Sequence, residues 1–114
     1  MPEAGNGTGD IPTDRIQEVA GLFGMLASDL RLHIVCVLAQ GECDVSGLAE
    51  QVGASLPRTS QQLAKLKVAG LVHARQQGRR RVYVMDDPDL VAIVRLLVTH
   101  LATGVGVSAL QHTS

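Results

Sequence analysis

The chain has 114 residues, of which 46% are apolar, but only Phe23 and Tyr83 are aromatic. A single domain of this length buries an aliphatic core, which favours packed helices over a β-sandwich. The scarcity of aromatic rings also argues against binding of single-stranded nucleic acid, in which bases stack on such rings.

The net charge of −1 hides a concentration of basic residues in one stretch. Residues 51–85 contain seven of the ten lysines and arginines and none of the eleven acidic residues. A cationic strip of this kind is typical of a surface that meets a polyanion, and duplex DNA is the expected partner. The strip consists of Arg58, Lys65, Lys67, Arg75, Arg79, Arg80 and Arg81.

A first helix is predicted from residue 13, because apolar residues recur at helical spacing and Thr13 can cap it. These apolar residues are Ile16, Val19, Ala20, Phe23 and Leu26. A second helix is predicted from the break at Ser28 and Asp29 to about residue 40. Gly41 suits the left-handed position that closes such a helix.

Two short helices joined by a tight turn follow. The first spans about residues 45–52, and residues 53–55 form a turn that contains a glycine. Ser55 is expected to cap the second helix, with Pro57 in its first turn, where the missing N–H costs nothing. This helix runs to about Val68, is closed by Gly70 and is expected to bury Leu56, Leu63 and Leu66. The pair is a helix-turn-helix.

A β-hairpin is predicted next, from two β-like runs at residues 71–75 and 81–85 around Gln76, Gln77 and Gly78. Its place after the second helix makes it a wing. The predicted fold class is therefore mainly α with a small β-hairpin, a winged helix-turn-helix.

The last helix is predicted over about residues 88–103, where the acidic run 86–89 favours a helix start. Its wide apolar face consists of Leu90, Ile93, Val94, Leu97, Val98 and Leu101. So apolar a helix needs a cover in a small domain. Together with Ile16, Val19 and Phe23, it predicts a homodimer interface formed by the first and last helices.

The predicted organisation is a disordered tail over residues 1–12, one domain over residues 13–103 and a flexible tail over residues 104–114. No apolar run is long enough for a membrane span and no signal pattern opens the chain, so no membrane partner is expected. Cys36 and Cys43 make no disulfide framework, and a cytoplasmic location is expected. Cys36 fits an apolar helix face and is expected to be a core residue.

Several segments match known motifs in order and spacing. Residues 26–34 (LASDLRLHI) correspond to L-A-D-x-x-R-L-x-I, and residues 60–66 (SQQLAKL) to S-Q-H-L-x-x-L, with Gln62 in place of histidine. The end of the second helix of the helix-turn-helix and the wing are matched by residues 69–72, 78–79 and 82–84. Over roughly residues 16–103 the chain thus resembles the ArsR/SmtB family of bacterial winged helix-turn-helix metalloregulators.

The second helix of the helix-turn-helix is the recognition helix, and its exposed face is expected to contact DNA. Glutamine can read adenine, arginine can read guanine, and serine or threonine can contact bases or phosphates. The candidates there are Arg58, Thr59, Ser60, Gln61, Gln62 and Lys65. At the wing, Arg79, Arg80 and Arg81 are expected to hold phosphate or enter a minor groove. A merely solvated surface is the alternative for both groups, and Tyr83 fits either the wing core or a phosphate contact.

The resemblance implies metal sensing, and two family sites are relevant. One uses thiols as E-L-C-V-C-D-L near the helix-turn-helix. In this chain Asp44 and Ser46 stand at the thiol positions, so that site is expected to be absent. The other lies on the last helix as D-x-H-x10-H-x2-[H/E]. Its frame is occupied here by Asp87, Asp89, His100 and Thr103.

Geometry restricts how this last-helix site could work. Asp89 and His100 lie about 16 Å apart along one helix axis, too far to share an ion within a chain. The expected site therefore joins Asp87 and Asp89 of one subunit to His100 of the other. Nickel is the expected metal, with zinc or cobalt as alternatives. The competing interpretation is that the aspartates only cap the helix and His100 is solvated.

The sequence thus predicts a dimeric, sequence-specific DNA-binding transcriptional regulator, a repressor by the family's default, whose operator binding responds to a transition metal. The alternative is a metal-independent regulator or activator that acts with a protein partner carrying the sensing. No enzymatic activity is expected, because no credible Ser/His/Asp or Cys/His arrangement and no phosphate-binding glycine loop is found.

Overall fold

The computed structural model describes residues 11–102, with side chains described as far as His100. The tail expected over residues 104–114, and all but two residues of the tail expected over residues 1–12, lie outside this range. The helices are α1 (Thr13–Met25), α2 (Asp29–Gln40), α3 (Val45–Val52), α4 (Leu56–Val68) and α5 (Pro88–Ala102). The strands are β1 (Cys43–Asp44), β2 (His73–Gln77) and β3 (Arg80–Val84). The expected architecture, mainly helical with a small sheet, is confirmed.

The ends of α1 and α2 differ in part from expectation. Thr13 does not cap α1, because it is already the first helical residue, and Pro12 precedes it without a side-chain cap. Ser28 does cap α2, since its Oγ accepts a hydrogen bond from the Arg31 N–H at 3.3 Å. Gly41 closes α2 at φ 157° and ψ 162°. This is a glycine conformation, but an extended one rather than the left-handed helical one expected.

The helix-turn-helix forms as predicted, and each boundary has a local cause. Asp44 caps α3 by accepting from the Gly47 N–H at 2.8 Å. Gly53 ends α3 at φ 68°, a left-handed conformation that glycine adopts without a steric penalty. The Ser55 hydroxyl oxygen accepts from the Arg58 N–H at 3.3 Å and begins α4.

The wing has a tighter turn than predicted. Gln77 pairs with Arg80 across the two strands, so only Gly78 and Arg79 form the turn. The prediction that Gln76 and Gln77 lie in the turn is wrong, because both belong to β2. Gly78 has φ 65° and so allows the two-residue connection.

β1 is a third strand that the sequence pattern does not reveal. It pairs Cys43 with Tyr83 and Asp44 with Val82, which gives an antiparallel sheet in the order β1-β3-β2. Two residues are too few for a readable alternation of apolar and polar side chains. The strand attaches the wing to the start of α3.

One apolar core lies among α2, α3, α4, α5 and the sheet. Its fully buried members include Ile34 from α2, Leu48 from α3, and Leu63 and Leu66 from α4. The prediction that Leu56 is buried is wrong, since it is 47% exposed. The buried face of α4 begins a turn later, and the first residue of the helix lies beyond it.

α1 contributes no buried residue to this core. Its apolar residues Ile16, Val19 and Phe23 are 49%, 47% and 62% exposed. Ile93 and Leu97 of α5 are likewise 53% and 44% exposed. Both helices therefore leave apolar surface uncovered in the single chain. The side chain of residue 101, predicted on the same face of α5, lies outside the described ones.

Among residues 11–102, no single helix is long and apolar enough to cross a membrane. Only α1 and α2 taken together reach that length and composition, and they meet at a bend of 97°.

The packing of α4 predicts a large cost for truncating its buried face. Leu66→Ala removes a fully buried side chain, so we expect the free energy of unfolding to fall by about 2–5 kcal/mol. Val68→Ala, on the same helix but 90% exposed, should change it by less than about 0.5 kcal/mol. Urea unfolding followed by circular dichroism measures both, and equal losses would contradict the assignment of the two faces.

Candidate nucleic-acid interface

α4 presents a polar exposed face opposite the core. Leu63 and Leu66 point inward, and at 3.6 residues per turn Gln61 and Lys65 fall on the opposite side. Both are exposed, as are Arg58 and Ser60 nearer the start of the helix. These four residues lie where the sequence placed them.

Thr59 does not lie on that face. It is fully buried, and its hydroxyl donates to the Ser55 carbonyl oxygen at 2.9 Å. The expectation that Thr59 is exposed is therefore wrong. Thr59, Leu63 and Leu66 follow one another by four and three residues, so helical spacing alone assigns all three to the core face.

Gln62 is partly buried and bound within the protein. Its Oε1 accepts a hydrogen bond from Nη1 of Arg31 at 2.9 Å. Arg31 also donates from Nε to the Met25 carbonyl oxygen at 2.7 Å. Gln62 therefore lies at the edge of the exposed face, with half of its amide group engaged.

The wing carries three arginines in different surroundings. Arg79 lies in the exposed turn and has no acidic partner among the described residues. Arg80 donates from Nε to Oδ2 of Asp44 at 2.9 Å. Arg81 donates from Nε to the Tyr83 hydroxyl at 3.2 Å, and its guanidinium carbon lies 5.8 Å from the centre of that ring.

Tyr83 belongs to the core of the wing. It is only 7% exposed, and it packs with the apolar cluster beneath the sheet. The choice between wing core and phosphate contact is thus settled in favour of the core, while the ring and hydroxyl hold Arg81 at the surface.

Two acidic residues from outside the cationic strip neutralise part of it. Glu42 accepts from Nη2 of Arg75 at 2.7 Å, and Asp44 accepts from Arg80. The remaining five members of the strip have no acidic partner among residues 11–102. The sequence does not predict that these two acids reach the wing, because β1, which brings them there, is too short to show a periodic pattern. Their position just before the helix-turn-helix is the only cue.

The Asp44 carboxylate accepts hydrogen bonds from two different elements. Its pKa is lowered, first by the hydrogen bond from the Gly47 N–H and then by the hydrogen bond from Arg80. Both partners stabilise the ionised carboxylate. The same side chain thus caps α3 and holds the wing, so the wing and the helix-turn-helix share one anchor.

The last-helix candidates are separated within one chain. Asp87 caps α5, since its Oδ1 accepts from the N–H groups of Asp89 at 3.0 Å and Leu90 at 3.3 Å. His100 lies at the other end of the helix. In the part of the chain that the structure describes, no three His, Cys, Asp or Glu residues are grouped to hold a metal ion.

The cysteines are free thiols. Burial raises the pKa of both Cys36 and Cys43. The thiolate is the form that ligates metal or attacks a disulfide, so each is less reactive than an exposed cysteine. Cys36 packs against the apolar core, as expected.

The geometry agrees with comparisons to known proteins. Residues 28–74 match the family model described as the bacterial regulatory protein, arsR family. The HTH-type transcriptional regulator KmtR of Mycobacterium tuberculosis is 37% identical over 91 residues, which cover 80% of this chain and 70% of KmtR. The chain belongs to the ArsR family.

Two further family relatives bear on function. A probable mercury resistance operon repressor of Streptomyces lividans is 33% identical over 93 residues, covering 79% of this chain and 74% of the repressor. A homodimeric winged helix-turn-helix DNA-binding domain of Mycobacterium bovis superposes with a TM-score of 0.68 at 33% identity. That match covers 86% of this chain and 91% of the domain.

Family membership fixes the general function. The protein is a DNA-binding transcriptional regulator with a winged helix-turn-helix fold, not an enzyme. The family resemblance deduced from the sequence motifs is confirmed.

Proposed function

We propose that the protein is a homodimeric, sequence-specific operator-binding regulator that represses transcription and responds to a transition metal. The observation that carries its DNA-binding part is the exposed polar face of α4 beside a wing tip whose arginine is unpaired within residues 11–102. The Streptomyces lividans relative is a probable mercury resistance operon repressor, which supports repression as the direction of control.

α4 enters the major groove in this proposal. Gln61 and Lys65 occupy the centre of its exposed face, with Arg58 and Ser60 nearer the N-terminus of the helix. A glutamine amide can pair with both groups of an adenine edge, whereas arginine prefers guanine. Thr59 has no part in it, because its hydroxyl is buried and satisfied.

The wing holds the DNA backbone or the adjacent minor groove. Arg79 at the tip is the strongest candidate, since no carboxylate among residues 11–102 competes for it. The guanidinium group of Arg81 lies over the Tyr83 ring and has no acidic partner among residues 11–102, so it is also available to bind phosphate. Arg80 is the weakest of the three, because a phosphate must compete with Asp44 for its guanidinium.

This assignment predicts the salt dependence of binding. Arg79→Ala should weaken operator binding and make the slope of log K against log salt shallower by about 0.9, the loss of one phosphate contact. Arg95→Ala, an exposed arginine of α5 outside the strip, is the matched control and should leave the slope unchanged. Fluorescence anisotropy over a salt series measures both. An unchanged slope for Arg79→Ala would remove the wing tip from the interface.

Dimerisation is proposed from the uncovered apolar surfaces of α1 and α5. In α1, three apolar side chains are about half exposed and no residue is buried, so tertiary packing within one chain stabilises this helix little. A two-fold partner that covers Ile16, Val19 and Phe23 supplies the missing burial. The Mycobacterium bovis domain is a homodimer.

The dimer proposal predicts that a charge on α1 separates the subunits. Phe23→Glu should raise the dimer dissociation constant at least about tenfold, because a carboxylate would be buried without a partner. Val68→Glu places the same charge on an exposed apolar position of α4 and should leave the dimer intact in the absence of DNA. Sedimentation equilibrium distinguishes the variants, and a monomeric wild-type protein would contradict the proposal.

The metal proposal places nickel, or else zinc or cobalt, between the subunits. In an antiparallel pair of α5 helices, Asp87 and Asp89 of one protomer meet His100 of its partner. The Oδ1 atom of Asp87 is used for capping, which leaves Oδ2 as its donor. One imidazole with carboxylate oxygens suits a borderline metal better than a thiol-seeking one. An ion bridging the two helices would bias the spacing of the two recognition helices.

This site predicts that His100 is needed for both metal affinity and response. With wild-type protein, nickel should change operator affinity by at least tenfold, about 1.4 kcal/mol of coupling. His100→Ala should abolish that change and lower nickel affinity at least about tenfold in calorimetric titration. His33→Ala, on exposed α2 surface, is the control. Nickel binding that survives in His100→Ala would contradict the site. Operator binding by the wild-type protein that does not respond to nickel, zinc or cobalt would favour a metal-independent regulator with a sensing protein partner.

A further inference from the structure

We propose that Arg31 and Gln62 form a bridge that positions the recognition helix, and that Gln62 acts through this bridge rather than by reading a base. The inference rests on the proposed role of α4 in operator binding. The observation behind it is a hydrogen bond between Arg31 and Gln62, which are 31 residues apart in sequence.

The Arg31 side chain joins three helices. It stands in the first turn of α2, where its own N–H is bound to Ser28 at 3.3 Å. Its Nε donates to the carbonyl oxygen of Met25, the last residue of α1, at 2.7 Å. Its Nη1 donates to Oε1 of Gln62, in the middle of α4, at 2.9 Å. The guanidinium plane therefore fixes the end of α1 and the middle of α4 relative to each other.

Both contacts suit a cation. The carbonyl group at the end of α1 lies at the negative end of the helix dipole. A hydrogen bond from a charged donor is stronger than one between neutral groups. Arg31 has no carboxylate partner among the described residues, so these two oxygens are the acceptors that compensate it. Lysine cannot replace it, because an ammonium group lacks the planar fork that reaches two acceptors.

The bridge leaves Gln62 poorly suited to read adenine. Bidentate reading of adenine requires the amide oxygen and the amide NH₂ together. The oxygen of Gln62 is already an acceptor for Arg31, and the side chain is partly buried. Gln61, one residue earlier, is exposed and has neither constraint. The two adjacent glutamines therefore have separate roles, Gln61 at the base and Gln62 as a positioning residue.

The connection matters because α1 is also the proposed dimer helix. The separation and tilt of the two recognition helices decide whether both half-sites are engaged at once. A contact between the end of α1 and the middle of α4 transmits the geometry of the dimer to the DNA-reading surface. Loss of the bridge would loosen that geometry without removing any DNA contact.

The test compares Gln62→Leu with Gln61→Leu, a matched change at the neighbouring position. Binding is measured to the operator in the protein's own upstream DNA and to operators substituted at each base pair in turn. We expect Gln62→Leu to weaken binding to every operator by about tenfold while keeping the order of base preference. Gln61→Leu should instead lose discrimination at one base pair. Loss of discrimination at a single base pair in Gln62→Leu would overturn the bridge as the role of Gln62.

A double-mutant cycle tests the pairing itself. Arg31→Met combined with Gln62→Leu should weaken binding no more than Arg31→Met alone, because Arg31→Met already removes the contact that Gln62 makes, together with the contact to Met25. Additive losses would show that the two residues act independently and would overturn the proposal. Arg31→Lys, which keeps the charge, replaces Arg31→Met if the latter does not fold, and the same non-additivity is expected of it.

A measurement without DNA separates the bridge from the proposed function. In NMR spectra, the Arg31 guanidinium protons should exchange slowly in the wild-type protein and in Gln61→Leu, and faster in Gln62→Leu. If the wild-type protein binds no operator, the proposed function fails, and the exchange comparison still decides whether the bridge exists. Fast exchange in the wild-type protein would overturn the bridge whatever the DNA result.

Discussion

The structure depends on the division of α4 into two faces. Thr59, Leu63 and Leu66 are fully buried, and they fix the rotation of the helix about its axis. Because that rotation is fixed by apolar packing, the side chains opposite are held outward without needing contacts of their own. The outward orientation of the polar face of α4, the face proposed to contact DNA, is thus a consequence of core packing.

Two polar side chains add contacts between elements that the core has already brought together. Asp44 fixes the wing to the N-terminus of α3, and Arg31 fixes the end of α1 to the middle of α4. Each of these two side chains has two partners on different elements. Each therefore restrains the orientation of those elements as well as the distance between them. In a chain of 114 residues with only two aromatic side chains, these contacts join elements that are distant in sequence.

The cationic strip is less uniform than its composition indicates. Arg75 and Arg80 are paired with Glu42 and Asp44, which are absent from the strip itself and reach it only through β1. A wing whose arginines are partly neutralised binds any DNA backbone less tightly than a fully exposed one. The members of the strip without an acidic partner among residues 11–102 are Arg58, Lys65 and Lys67 in α4 and Arg79 and Arg81 in the wing.

Much of this protein could be predicted from local sequence. The cap at Ser55, the break before α2, the turn at residues 53–55 and the limits of α3 and α4 follow from residue types within one or two turns, as does the family resemblance. What needed the tertiary structure was every relation between residues distant in sequence: the pairing of β1 with β3, the neutralisation of Arg75 and Arg80, and the engagement of Gln62 by Arg31. Helix caps and periodicity are set by neighbours along the chain, whereas these contacts exist only once the core has brought separate elements together. The sequence therefore determined which stretch of the chain is cationic and polar, and the fold decided which of its side chains are left without a partner among residues 11–102.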